Sequence, residues 1–218
     1  LPSPDFGSEW ILLGMARSGY LEKGSKYFCD YYDRVVSSVD KAAQKAQAAG
    51  APAGSLHLVK STENSRLIIA LAALGRDARN VGTWNLLAPY EDFSWVKGQG
   101  LNGATWALIA LDAVAYQTKS DIRQQCIDYI LDRQLSDGGW DVREDSETAD
   151  PDMTAMTLQA LVNYQDQAAV NAAMDRALAR LSSLQNADGS YSSYDAVNSE
   201  STAQVIVACT ALGIDPHT

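Results

Sequence analysis

The sequence has little of several things that would point directly to a function. It contains two histidines, His57 and His217, and three cysteines, Cys29, Cys126 and Cys209. Neither histidine lies near a Cys or Asp pattern, so no zinc-ligand spacing is formed and neither structural nor catalytic zinc is expected. The cysteines are widely separated and odd in number, and are read as small buried apolar residues. Disulfides are not required, because 218 residues are enough for a single domain, 1–218, that buries roughly 70% of its unfolded surface. No uncharged run reaches the roughly 20 residues that a membrane span requires. A basic cluster is also missing. With 27 acidic residues against 17 basic and a net charge of −10, a nucleic-acid backbone or an anionic lipid surface would be repelled. An initial Met and a signal peptide are lacking too. The chain opens on Leu1-Pro2-Ser3-Pro4 and reads as a processed or excised segment.

Strand-like alternation is absent, and helical periodicity takes its place. Ser8 is a candidate N-cap and Gly19 a candidate stop for a first helix. Lys26 to Ala49 follows as a long amphipathic helix with Phe28, Tyr31, Tyr32, Val35, Val36 and Val39 on one stripe. The piece from Trp84 to Asp92 is the least regular. Ser120 is the candidate cap of a helix from Asp121 to Leu135, and Asn171 to Leu184 is another outer helix. Apolar, small-residue inner helices are predicted over Ser8–Ser18, Asn64–Leu74, Gly103–Tyr116, Asp152–Tyr164 and Glu200–Leu212, alternating with charged outer ones.

The inner helices are related. Gln134-x-x-x-Gly138-x-Trp140 returns as Gln185-x-x-x-Gly189-x-Tyr191, a step of 51, and Thr154-Ala155 with Ala160 returns as Thr202-Ala203 with Ala208, a step of 48. Going backwards, Asp152 falls on Asn102 and Ala160-Leu161 on Ala110-Leu111, a step of 50. Ala70 to Gly75 matches Ala208 to Gly213. Such self-similarity marks a helical-hairpin repeat in which no unit buries its apolar face alone. The expected fold is all-α: an α/α toroid, a ring of about five helical hairpins, with Ala70, Ala110, Ala160 and Ala208 buried where helices approach closely.

The Q-x3-G-x-[WY] repeat and the D-x-D-x-T-A helix start resemble the squalene/hopene cyclase and protein prenyltransferase superfamily, whose fold is such a toroid. Further segments, among them NGATWALIALD, ADPDMTAMTLQAL and LSSLQNADGSYSSYDAVNSESTAQVIVACTALGIDP, look like the prenyltransferase-repeat domains of Gram-positive bacterial cell-surface proteins. The resemblance implies an extracellular or cell-surface location. It also implies an adjoining β domain, similar to that of cobalamin carriers of the transcobalamin kind, in the full-length protein.

The resemblance also supplies chemistry to weigh. The cyclase acid motif is D-x-D-D-T-A, with the middle aspartate kept protonated by neighbouring carboxylates. Here it reads Asp150-Pro151-Asp152-Met153-Thr154-Ala155, so Asp152 fills the acid position and Met153 replaces a carboxylate. Asp152 is otherwise read as the helix cap, with Asp150 and Pro151 shaping the entry. The complement-type Cys-Gly-Glu-Gln thioester does not occur. The acidic loop Asp141, Glu144, Asp145, Glu147, Asp150 and Asp152 offers oxygen ligands suited to calcium, but without EF-hand spacing; no metal and no cofactor is expected. Gln134, Gly138 and Trp140, like Gln185, Gly189 and Tyr191, are read as turns tying one hairpin to the next, the glutamine bonding to the backbone at the neighbouring helix start while the aromatic ring packs over it. Two functions stay open. One is a non-catalytic binding or display module holding a small molecule, cobalamin-like or other, at a mouth ringed by Asn64, Asn102, Asp152 and Glu200, with Trp84 and Trp95 nearby. The other is a small terpene-cyclase-like isomerase or lyase using Asp152 as general acid with Asp150 as its partner.

Overall fold

Residues 7–194 and 196–216 are described by the structure, a computed structural model. They form helices α1 (Glu9–Arg17), α2 (Lys26–Ala48), α3 (Ser61–Ala73), α4 (Phe93–Lys97), α5 (Gly100–Ala113), α6 (Ile122–Asp132), α7 (Pro151–Leu161), α8 (Ala168–Leu184) and α9 (Ser199–Ala211). Among the described residues the only sheet is a two-stranded hairpin of β1 (Ser192–Ser193) and β2 (Ala196–Val197). The fold is all-α, as the periodicity predicts. His217 lies outside the described residues.

The helices gather into two compact units, one ending at Ile122 and the other beginning at Arg123. In the first unit α3 packs between α1 and α5, and the short α4 lies on α5. The close approach is set by small residues: Ala70 of α3 and Ala104, Ala107 and Ala110 of α5 are buried. A Cβ added at Gly103 would stand 2.2 Å from the Val96 carbonyl oxygen, so only glycine lets α4 lie this near α5. The long α2 is fixed from outside. Tyr31 donates to the buried carboxylate of Glu9 (3.2 Å), which also pairs with Arg66 of α3 at 2.9 Å. Burial, with the Glu9 charge beside it, raises the Tyr31 hydroxyl far above its usual range, so it remains a donor.

The second unit packs α7 against α9 and α8. Ala155, Leu158, Ala160 and Leu161 of α7 are buried, and so is Ala208 of α9. Gln159 donates to the Gln204 side chain (2.9 Å), a polar link between these two helices.

Several boundaries and caps differ from the sequence reading. α3 and α5 each begin three residues before the predicted starts, because their first turns already close on Lys60 C=O (from Glu63 N–H, 3.2 Å) and Gln99 C=O (from Gly103 N–H, 3.3 Å). Ser8 caps nothing with its side chain. The Ser120 hydroxyl is drawn instead to Glu91 (2.8 Å). Of the cysteines only Cys126 is fully buried, and its thiol is pushed up to about 12 by that burial. Cys29 and Cys209 are partly open. The irregular 84–92 stretch resolves into a 3-10 turn, Ala88–Glu91, after an isolated bridge between Val81 and Trp84.

Candidate functional site

The two Gln-Gly-aromatic turns have the same atomic wiring. In the first, Leu135 N–H donates to Gly139 C=O and Gly138 N–H to Leu135 C=O; in the second, Asn186 N–H donates to Ser190 C=O and Gly189 N–H to Asn186 C=O. Gly138 and Gly189 have φ of 98° and 85°, a conformation glycine adopts without strain. Each turn is then clamped to the following helix by a threonine. Trp140 N–H donates to Thr154 Oγ1 (3.0 Å) while Asp150 N–H donates to Trp140 C=O (2.9 Å). Tyr191 N–H donates to Thr202 Oγ1 (3.1 Å) while Asn198 N–H donates to Tyr191 C=O (3.0 Å). Thr154 and Thr202 therefore do the work that the sequence reading gave to the glutamines. The clue was present, since Thr154 recurs as Thr202 at a step of 48, close to the 51 of the turns.

Gln134 has a different partner from the one anticipated. Its amide donates to Gly138 C=O (2.7 Å) and to Ala173 C=O (2.8 Å), and its oxygen accepts from Arg176. It ties the turn to the middle of α8 rather than to a helix start. Trp140 is fully buried and donates from its indole to Ile130 C=O (2.8 Å), which also accepts from Arg133 N–H (3.2 Å) at the end of α6. Among the described residues Gln185 bonds only within its own turn, to Gly189 C=O (3.1 Å).

The cap of α7 is Asp150, which corrects the assignment of that role to Asp152. Asp150 has extended backbone angles, its Oδ1 accepts from Met153 N–H (2.8 Å), and Pro151 occupies the first helical position. Its Oδ2 accepts from the hydroxyl of Ser193 on β1. Both oxygens of the first aspartate are thus engaged. Asn198 is its counterpart on α9, accepting from Glu200 N–H (2.8 Å) and Ser201 N–H (3.1 Å). Asp152 and Glu200 follow the two caps by two residues each. Asp152 is half-buried, and burial raises its carboxyl above the ordinary range, with the charges of Asp150 and Glu200 adding to the effect.

The remaining mouth residues belong to the first unit. Asn64 is buried and fully used: it accepts from Leu56 N–H (2.8 Å) and donates to Gly54 C=O (2.8 Å) and Leu86 C=O (3.0 Å). It is a loop-holding residue with nothing left over for a ligand. Asn102 lies in the first turn of α5, with a buried Oδ1 that has no hydrogen-bond partner among the described residues. Trp84 donates to Asp40 of α2 (3.0 Å), and Trp95 is buried edge-on to Tyr90. Both tryptophans serve the packing of the first unit.

A cleft of about 400 Å³ opens at the entrance to α7. Its walls include Asp141, Arg143, Thr148, Asp150, Arg180, Ser192 and Tyr194. Sequence reasoning did not single out Arg143, Arg180 or Tyr194, because their meeting depends on chain that is distant in sequence. The Arg143 guanidinium lies 4.8 Å from the Tyr194 ring centre and 2.8 Å from Asp141, a cation held between a carboxylate and an aromatic face. Burial pushes the Asp141 carboxyl up, but the bonds from Arg143 and Ser146 outweigh it, so Asp141 stays below the usual carboxylate range. Tyr194 is a non-glycine residue with φ of 49°, the kind of strained conformation that gathers at functional positions. The acidic loop is anchored by arginines outside it: Asp137 pairs with Arg180 of α8 (2.9 Å), and Glu144 with Arg133 just past α6 (3.3 Å). Among the described residues no three His, Cys, Asp or Glu side chains are arranged to hold a metal ion.

A search of curated proteins finds no match to the chain. A family model does match, over residues 88–215, which runs across the boundary between the two units. On that match, and with helices, turns and caps recurring as described, the chain belongs to the prenyltransferase alpha-alpha toroid domain family.

Proposed function

We propose that this domain is a non-catalytic binding module carried on a bacterial cell surface, and that it takes a small polar ligand in the cleft beside Arg143 and Tyr194. The observation that carries this reading is the state of the acid motif. Asp150 spends one oxygen on the helix cap and the other on Ser193, and Met153 stands where a second carboxylate would support Asp152. A proton donor strong enough for an alkene needs an apolar, carboxylate-supported setting. The cleft walls instead carry two arginines, Thr148 and Ser192, and include Asp150 but not Asp152. Such walls suit a ligand with hydroxyl or anionic groups and a flat face for Tyr194; cobalamin is one molecule of that description. The surface location and an adjoining β domain rest on the resemblance of the repeats.

One observation favours the second reading, a small cyclase-like isomerase or lyase: the Asp152 carboxyl is raised, the direction a proton donor needs. The two readings part in one experiment. Wild type and Asp152→Asn are incubated with squalene, prenyl alcohols and prenyl diphosphates, with and without magnesium, and cobalamin binding is titrated on wild type and Tyr194→Ala. No cyclised product from either protein, with binding weakened by Tyr194→Ala, is the expected result. Products from the wild type that vanish in Asp152→Asn would make Asp152 the general acid.

A further inference from the structure

Tyr194 gives the fold little in return for its strain. It follows β1 in the β1–β2 hairpin with φ of 49°, a left-handed conformation that Asn, Asp or Gly takes at least cost. Its side chain is 61% exposed, so burial does not offset that cost. The ring is nevertheless held in place. The Arg143 guanidinium backs it at 4.8 Å, and Arg143 is itself fixed by the buried carboxylate of Asp141, which accepts from its Nε (3.1 Å) and Nη2 (2.8 Å). A strained, exposed aromatic ring on a buried ionic base is a platform for something outside the chain.

The charges around this platform select what it takes. Each arginine of the cleft is already matched, Arg143 by Asp141 (2.8 Å) and Arg180 by Asp137 (2.9 Å). Asp150 has both oxygens engaged, on Met153 N–H and the Ser193 hydroxyl. An anion therefore finds no free cation here, and a cation finds no free carboxylate. The local field works further against an anion. Burial, then the charges of Asp141 and Asp150, raise the Tyr194 hydroxyl against the opposing pull of Arg143, so the ring stands in a net negative potential. What the walls still offer is neutral chemistry. The Tyr194 phenol stays protonated, Thr148 and Ser192 bring hydroxyls, and an aromatic face attracts weakly positive C–H groups. A volume of about 400 Å³ lies toward the lower end of ligand pockets and suits one or two sugar rings. Given that the cleft holds the ligand, as proposed above, we infer that this ligand is a neutral carbohydrate, stacked by the apolar face of one ring on Tyr194 with its hydroxyls bonded to Thr148 and Ser192.

Saturation-transfer NMR titrations of the 218-residue chain test this, with methyl glucoside, cellobiose and diacetylchitobiose as neutral probes and galacturonate and cobalamin as the contrast. Saturable transfer to at least one neutral probe is expected, strongest at its ring C–H protons. Tyr194→Phe keeps the platform and should bind as the wild type does. Tyr194→Gly removes it and should bind about tenfold more weakly while its melting temperature holds or rises, because glycine takes a left-handed φ without strain. A fall in that melting temperature overturns the inference, since Tyr194 would then serve the fold. Binding that Tyr194→Gly leaves unchanged overturns it as well. Binding of galacturonate or cobalamin without any neutral probe sinks the carbohydrate and leaves the cleft a ligand site, whereas no binding of any probe removes both.

Discussion

Asp150 and Asp152 sit two positions apart, yet their energetic roles oppose each other. Asp150→Ala removes the cap of α7 and the acceptor for Ser193, and should cost about 1–2 kcal/mol in chemical denaturation. Asp152→Asn should cost nothing at pH 7 and raise the melting temperature slightly. The sign follows from its raised carboxyl. A raised folded-state pKa means the native protein holds the proton more tightly than the unfolded chain, so the stability penalty is complete above the folded value and fades as pH falls. The advantage of Asp152→Asn should therefore shrink on acidification, and a melting series from pH 7 to 4 checks it. Which aspartate caps could not be read from the sequence, because two acidic residues flank Pro151 and the choice is made by backbone angles. The pairing of Asp150 with Asn198 was open to the same subtraction that related the two threonines, and it marks both true caps.

At the level of the helical hairpin, the two turns form an internal control. Gln134→Ala unties the turn from Ala173 and Arg176 and should destabilise by about 1–3 kcal/mol. Gln185→Ala loses one bond within an exposed turn and should change stability by less than about 0.5 kcal/mol. Equal losses in urea titrations of the two variants would contradict this account. The elements themselves were legible: all nine helices among the described residues fall in segments with helical periodicity or apolar composition, except α4, whose five residues are too short for a period to register. The four recurring alanines are buried as expected. The fate of the glutamines was not legible, because Gln134 acts through carbonyls and a guanidinium of a helix some forty residues later, and no local pattern records such a partner.

The molecule as a whole carries more negative charge than it can pair, and this gives its stability a turning point in pH. From pH 7 down to the neighbourhood of its isoelectric point, about 4.5, protonation relieves self-repulsion and the melting temperature should rise modestly. Below that, the carboxyls that are held low in the folded state begin to matter. Asp77 is lowered to about 2 by its bonds to Arg79, and Glu91 and Asp141 are also depressed, their hydrogen bonds outweighing burial. Each contributes stability above its unfolded value that is lost as pH falls through its folded one. Melting temperatures should therefore pass a maximum and drop between about pH 4 and 2; a monotonic fall from pH 7 would refute this.

The threonine clamp has a further consequence. It joins Trp140 to Thr154 across fourteen positions and Tyr191 to Thr202 across eleven, with the same bonds at both ends. The three-residue difference also reconciles the 51-residue step of the turns with the 48-residue step of the helices. The intervening loop is thus a region where natural selection can lengthen, shorten or recompose the chain while the frame stays in register. The cleft with Arg143 and Tyr194 is built from the longer of these two loops and from the hairpin that replaces it in the next repeat. Lineages sharing this scaffold could acquire new recognition properties by loop exchange alone, much as a display library varies one segment on a constant frame.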